Sequence, residues 1–193
     1  EEPIGERWGQ SGADLMRIDI EGDDDEVFAL IADHEGALDG INNRGVVWYS
    51  NGEGWQPILH DNPHASNNGP AGDQLGSVIS VDGTTAAIAA RNYDWGDGGN
   101  VGAILLFDYD LDSDTWTERT ERIRNPTAQN GWPRDMELSG NTIVASYDLF
   151  DDGEANNANY GYASVFRMGG DGVWDEEFSR VGEEAGLQYA KRV

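Results

Sequence analysis

The chain has 193 residues, among them 26 glycines and no cysteine, and 37 acidic against 12 basic residues give a net charge of −25. Such an acidic surface argues against nucleic acid and anionic membranes as partners, because both are bound through Lys and Arg. The lack of cysteine excludes disulfides and thiolate metal sites, and no apolar run approaches the ~20 residues of a membrane span.

The length predicts one domain, and we expect no membrane insertion. We expect an extracellular or cell-surface location, because the cations of a salty or calcium-bearing medium would screen the repulsion between acidic side chains. The alternative is an ordinary, well-solvated surface. The chain begins at Glu1 without an initiator Met or a leader, which indicates a processed form or part of a longer protein.

Three segments of the chain share one pattern. Each opens with a short strand that ends at a glycine turn, as in MRIDIEG, SVISVDG and DMELSG. A second strand of small residues follows (VFALIA, AAIAA, TIVAS), then a polar loop, a third strand that begins at a glycine, and a tryptophan after a tight turn. The equivalent glycines and tryptophans are Gly22, Gly83, Gly140, Trp55, Trp116 and Trp174. Alternating polarity and turn glycines predict four short strands in each segment.

Units of four strands that recur every ~40 to 60 residues are typical of β-propellers. We therefore predict an all-β protein with three four-stranded antiparallel propeller-type blades, which form a partial or assembly-completed β-propeller. The predicted blade-like repeats are residues 11–58, 71–123 and 130–181. Residues 182–193 are predicted to form the first strand of a further blade, because AGLQYAKRV aligns with the earlier AGDQLGSV. A short amphipathic helix is the alternative there.

The loops between the second and third strands are rich in carboxylates and amides. Calcium takes about six to eight oxygen ligands from such groups. The candidate calcium ligands are Asp94, Asp97, Asn100, Asp148, Asp151, Asp152 and Glu154. Solvated acidic turns are the alternative. Trp95 lies in one of these loops and is the candidate for an exposed ligand contact.

Two further motifs are interpreted as structural. DYDLDSDTWTE has aspartate at every second position but lacks the glycine and glutamate of an EF-hand loop, so we predict a strand end and a hairpin turn. HDNPH contains His60 and His64, but Pro63 opposes a helix that would bring both rings to one metal, so we predict an interblade loop. The sequence contains no nucleophile elbow, phosphate loop or metalloprotease helix, and we expect no enzyme activity.

The order of strand, glycine turn, small apolar strand, acidic loop, aromatic third strand and tryptophan resembles the FG-GAP repeat of β-propeller proteins over residues 11–181. The Phe-Gly pair of that repeat is represented by Leu75-Gly76. The Gly-Ala-Pro end of its second strand is represented by Ala89-Ala90-Arg91 and Ala145-Ser146-Tyr147. The resemblance implies propeller blades, an extracellular repeat protein, and calcium in the loop after the second strand.

A propeller closes with about four to eight blades, so three blades need further ones. We expect the partners to be the missing blades of a longer chain or other copies of this chain, arranged in a ring or stacked through exposed edges. The predicted function is a non-catalytic extracellular repeat scaffold that acts in self-assembly or protein adhesion. The alternatives, with protein or glycan ligands, are a calcium-stabilised carbohydrate-binding module and a fragment of a propeller hydrolase.

Overall fold

A computed structural model describes residues 16–22, 27–34, 44–50, 54–58, 60, 72–96, 100–127, 131–149 and 160–183, with side chains from Leu30 onward. These residues form twelve β-strands and no helix. The strands in chain order are β1 (Met16–Gly22), β2 (Val27–Asp33), β3 (Val46–Ser50), β4 (Gln56–Ile58), β5 (Leu75–Asp82), β6 (Thr85–Ala90), β7 (Ala103–Asp110), β8 (Thr115–Arg124), β9 (Asp135–Ser139), β10 (Thr142–Tyr147), β11 (Tyr162–Met168) and β12 (Trp174–Val181). No segment of this described part is a helix long and apolar enough to cross a membrane.

The strands form three antiparallel sheets, each built from four consecutive strands. We call β1–β4 the first sheet, β5–β8 the second and β9–β12 the third. Each strand pairs with its neighbours in the chain, so each sheet is a meander, and no sheet in the described residues closes on itself. The prediction of an all-β chain with three four-stranded antiparallel units is confirmed. In the region 182–193, the described residues 182 and 183 are not in a strand, and 184–193 lie outside the described residues.

Alternation of polarity decides which face of each sheet is buried. In β9, Met136 and Leu138 are buried whereas Glu137 and Ser139 are exposed, as the period of two predicts. β6 reads Thr-Ala-Ala-Ile-Ala-Ala and is buried along Ala86–Ala90. Its small side chains let other sheets approach from both sides, which is why this strand has no polar face.

The second sheet lies between the other two. One of its faces packs on the first sheet through a cluster that includes Leu30, Val47, Ile88 and Leu105. The other face packs on the third sheet through Ile104, Leu106, Ile143 and Phe166, among others. Full burial of such a side chain contributes roughly 1.5–3 kcal/mol. The two clusters therefore make a stack of three sheets the stable arrangement.

The connections lie at two opposite ends of the stack. The strand ends from which the second-to-third-strand loops and the segments between sheets depart lie at one end, which we call the loop end. The tight hairpins lie at the other end, which we call the turn end. There, the predicted turn after Asp110 is confirmed, because β7 ends at that residue and β8 begins at Thr115. The Asp112 N–H donates to the Asp110 carboxylate at 2.9 Å, and this hydrogen bond lowers the pKa of Asp110.

A glycine contact repeats at both junctions between sheets. Gly45 and Gly102 each precede the third strand of their sheet and have φ of +79° and +88°. A Cβ at Gly45 would overlap the backbone of Leu75, and a Cβ at Gly102 would overlap the carbonyl oxygen of Trp132. Gly45 and Gly102 are 57 residues apart, and so are Leu75 and Trp132. The chain therefore builds the same junction twice. Gly161 precedes β11 with φ of +78° and is the third glycine of this set.

Candidate functional site

A buried polar cluster joins the first and second sheets at the loop end. We call it the His60 cluster, and it comprises His60, Asp73, Tyr93, Glu118 and Arg122. His60 follows β4, Asp73 precedes β5, Tyr93 follows β6, and the other two side chains lie on β8. β4 ends at the loop end, where the His60 ring lies 5.8 Å from that of Tyr93, so these distant residues meet there.

The imidazole of His60 lies between two carboxylates. Its Nδ1 is 3.0 Å from Glu118 Oε2, within hydrogen-bond distance, and its Nε2 is 3.7 Å from Asp73 Oδ2. Arg122 donates to Glu118 Oε1 from Nε at 2.8 Å and to the Tyr93 hydroxyl at 2.5 Å. The Arg44 guanidinium donates to the backbone carbonyl of His60. Both sheets therefore contribute to one network of charged hydrogen bonds.

The network changes how its members titrate. Burial by itself lowers the pKa of His60, but the Asp73 and Glu118 carboxylates outweigh it and raise the pKa above the ordinary 6.5. Burial by itself raises the pKa of Glu118, but His60 and Arg122 outweigh it and lower the pKa below the ordinary 4.5. Burial raises the pKa of the Tyr93 hydroxyl. His60 is only 2% exposed, so its ring lies inside the junction between the first two sheets.

The predicted calcium ligands are described only in part. Asp94 accepts a hydrogen bond from the Gly96 N–H at 2.7 Å and pairs with Asn100 in an isolated bridge. Asp148 Oδ1 is 4.0 Å from Arg134 Nε. The other four candidates, Asp97, Asp151, Asp152 and Glu154, lie outside the described residues. In the part of the chain that is described, no group of three or more His, Asp or Glu side chains is arranged to hold a metal ion. Calcium binding stays a prediction.

Calcium binding through the β6–β7 loop would raise the melting temperature, since a ligand held at 100 times its Kd adds roughly 2.7 kcal/mol to the stability. We expect this rise in the wild-type chain and its loss in Asp94→Asn. Asp175→Asn removes the same charge from an exposed position on β12 and serves as the control. Scanning calorimetry with calcium and with magnesium checks the prediction. An equal rise with both ions would indicate charge screening and contradict it.

Trp95, the predicted ligand contact, is half-buried and held by its neighbours. Its indole N–H donates to the carbonyl of Gly102 at 3.0 Å. Its ring centroid lies 5.0 Å from that of Tyr93, and the Arg124 guanidinium lies 5.5 Å from the ring centre. These contacts orient the ring at the loop end, and ligand contact through its exposed part stays a prediction.

Each of the two outer sheets has one apolar row that no other sheet of the described residues covers, and these rows are the candidate interaction surfaces. On the third sheet, Val144, Val165 and Phe178 are cross-strand neighbours. They alternate with the residues that pack on the second sheet, so they point away from it. Phe178 is 58% exposed. We call this row the third-sheet face.

The first sheet has an apolar row on the side that faces away from the second sheet. Ile31, Trp48 and Pro57 are cross-strand neighbours and are half-buried. Leu30 and Val47, which alternate with them, pack on the second sheet. We call this row the first-sheet face. The two outermost faces of the stack therefore both carry apolar side chains.

The chain matches no known protein family, and no curated protein matches it.

Proposed function

We propose that the protein is a non-catalytic repeat scaffold that associates with copies of itself through the first-sheet and third-sheet faces. The third-sheet face, with Phe178 58% exposed among the described residues, is the observation that carries this proposal. Phe178 forms an apolar patch with Val144 and Val165. Such a patch lowers solubility unless another surface covers it. We further propose that the sheets are blades of a propeller related to the FG-GAP repeat, in an extracellular protein.

The internal junctions support a head-to-tail contact. We call the side of a sheet that faces the following sheet its outer side and the opposite side its inner side. Twice within the chain, the outer side of one sheet packs on the inner side of the next sheet. The third-sheet face is the outer side of the last sheet, and the first-sheet face is the inner side of the first. A second copy can therefore supply the surface that packs on the first-sheet face or on the third-sheet face. Such a contact joins two different surfaces, so it yields a ring if the rotation closes and a filament if it does not.

The net charge sets the conditions for association. Copies that carry −25 each repel one another in dilute buffer. The repulsion between exposed charges falls when salt shortens the Debye length, to about 3 Å at 1 M. Burial of apolar rows does not weaken in salt. We therefore expect association to strengthen as the salt concentration rises, the opposite of an interface held by ion pairs.

Replacing Phe178 with glutamate is expected to weaken self-association at least about tenfold. Loss of one buried aromatic side chain costs roughly 1.5–3 kcal/mol, and 1.4 kcal/mol corresponds to about tenfold in Kd. Leu111→Glu is the matched control, because Leu111 is 55% exposed but lies in a hairpin at the turn end. Sedimentation velocity at rising salt measures the effect. A wild-type chain that stays monomeric in about 1 M salt, or equal effects of the two variants, would overturn the proposal.

A further inference from the structure

We propose that the His60 cluster is a pH-sensitive clamp that holds the first sheet against the second while His60 is protonated and releases it when His60 loses its proton. The proposal goes beyond self-association, since it concerns a junction inside one chain.

The position of His60 makes it a link between repeats. It follows β4, in the segment between the first and second repeats, whereas Asp73, Tyr93, Glu118 and Arg122 belong to the second. Glu118 Oε2 lies 3.0 Å from its Nδ1, and Asp73 Oδ2 lies 3.7 Å from its Nε2. The imidazole is therefore hydrogen-bonded to Glu118 on one side and faces the Asp73 carboxylate, at ion-pair distance, on the other.

The charge balance of the cluster depends on this one proton. With His60 protonated, its ring carries a positive charge between the Asp73 and Glu118 carboxylates, and Arg122 pairs with Glu118. Arg44 binds the His60 carbonyl at the edge, and Tyr93 contributes a hydroxyl. Loss of the imidazole proton removes this positive charge from a ring that is 2% exposed. The two carboxylates then lose a favourable interaction inside the protein, so the junction weakens.

The direction of the pH dependence follows from the two pKa shifts. The pKa of His60 is raised, so its contribution to stability is complete below the unfolded value of about 6.5 and is lost as the pH rises through the folded pKa. The pKa of Glu118 is lowered, so its contribution is complete above about 4.5 and is lost as the pH falls through the folded pKa. The clamp is therefore strongest between about pH 4.5 and about pH 6.5.

The second junction has no equivalent group. The chain contains three histidines, His34, His60 and His64, and all of them precede the second repeat. The second and third sheets are joined instead by contacts such as the Trp174 N–H to Glu121 Oε1 at 2.7 Å and the Leu138 N–H to Ser80 Oγ at 3.0 Å. A rise in pH from about 6 to 8 titrates histidine, and the second and third sheets contain none.

Hydrogen–deuterium exchange of β3 and β11 at about pH 5.5 and about pH 8.5 tests the clamp, after correction for intrinsic rates. In the wild-type chain, β3 is expected to lose protection, by at most about tenfold per pH unit for one proton, while β11 keeps it. His60→Gln should make β3 protection independent of pH in this range. Equal losses in β3 and β11, or a pH dependence that survives in His60→Gln, would overturn the proposal.

An NMR titration of the wild-type imidazoles keeps the test independent of how well that variant folds. The signal absent from His60→Gln is that of His60, and its midpoint is expected above about 6.5. Glu118→Gln keeps the shape of the side chain but removes one anion, so it should move the midpoint to lower pH. A wild-type midpoint below about 6.5, or one that Glu118→Gln leaves in place, contradicts the clamp.

Discussion

Replacing Gly102 with alanine is expected to lower the free energy of unfolding by about 3 kcal/mol or more. The new Cβ would overlap the carbonyl oxygen of Trp132 and lie 2.8 Å from that of Arg91. Both are backbone atoms, which cannot rotate away as a side chain can. The φ of +88° adds strain, since side-chain-bearing residues rarely adopt it. Urea unfolding followed by tryptophan fluorescence measures the loss.

Gly83→Ala separates strain from overlap. Gly83 also has a positive φ, of +58°, but a Cβ there would meet no atom within 4 Å. Its replacement should therefore cost only the backbone strain, of about 1 kcal/mol. If the two variants lose equal stability, the junction is not closely packed at Gly102 and the repeated glycine contact has no energetic role.

Replacing Glu118 with alanine is expected to cost about 3–5 kcal/mol at a pH of about 6. The carboxylate binds His60 through one oxygen and Arg122 through the other, at 3.0 and 2.8 Å. Its removal leaves a buried imidazolium and a largely buried guanidinium without this partner. The penalty of an uncompensated buried charge exceeds the net value of the pair itself. Chemical unfolding at this pH gives the change directly.

The matched control is Glu177→Ala. Glu177 accepts from Arg167 at 2.8 Å, much as Glu118 accepts from Arg122, but both partners are more than half exposed. Solvent screens that pair, so its loss should cost about 0–1 kcal/mol. A Glu118→Ala variant that loses no more than Glu177→Ala would show that the His60 cluster contributes little to the junction between the first two sheets.

The three sheets could be predicted from the sequence because the signals for them are local. Alternation in DMELSG and the turn glycines Gly83 and Gly140 act within one or two strands, and the threefold repeat supplies the division of the chain. The three repeat tryptophans occupy less regular positions in the strands than the sequence repeat predicts. Trp174 begins β12, whereas Trp55 is half-buried and precedes β4.

The His60 cluster could not be predicted, because its members meet only in the folded stack. His60 and Glu118 are 58 residues apart, and they belong to different sheets. With 37 acidic residues in the chain, no pairing of a histidine with a particular carboxylate stands out. The available signal was a histidine between two segments rich in carboxylates. That signal predicts that the histidine lies beside an acidic side chain, but it does not identify the acidic residue.

The glycine contact that recurs at Gly45 and Gly102 also determines how such a chain can grow or shrink. Because Leu75 and Trp132 occupy the same place 57 residues apart, an insertion or deletion of one whole unit of that length rejoins matching ends. A change that cuts through a repeat would bring a residue with a side chain to this crowded position. We therefore expect such a chain to tolerate the gain or loss of a whole repeat better than a partial one.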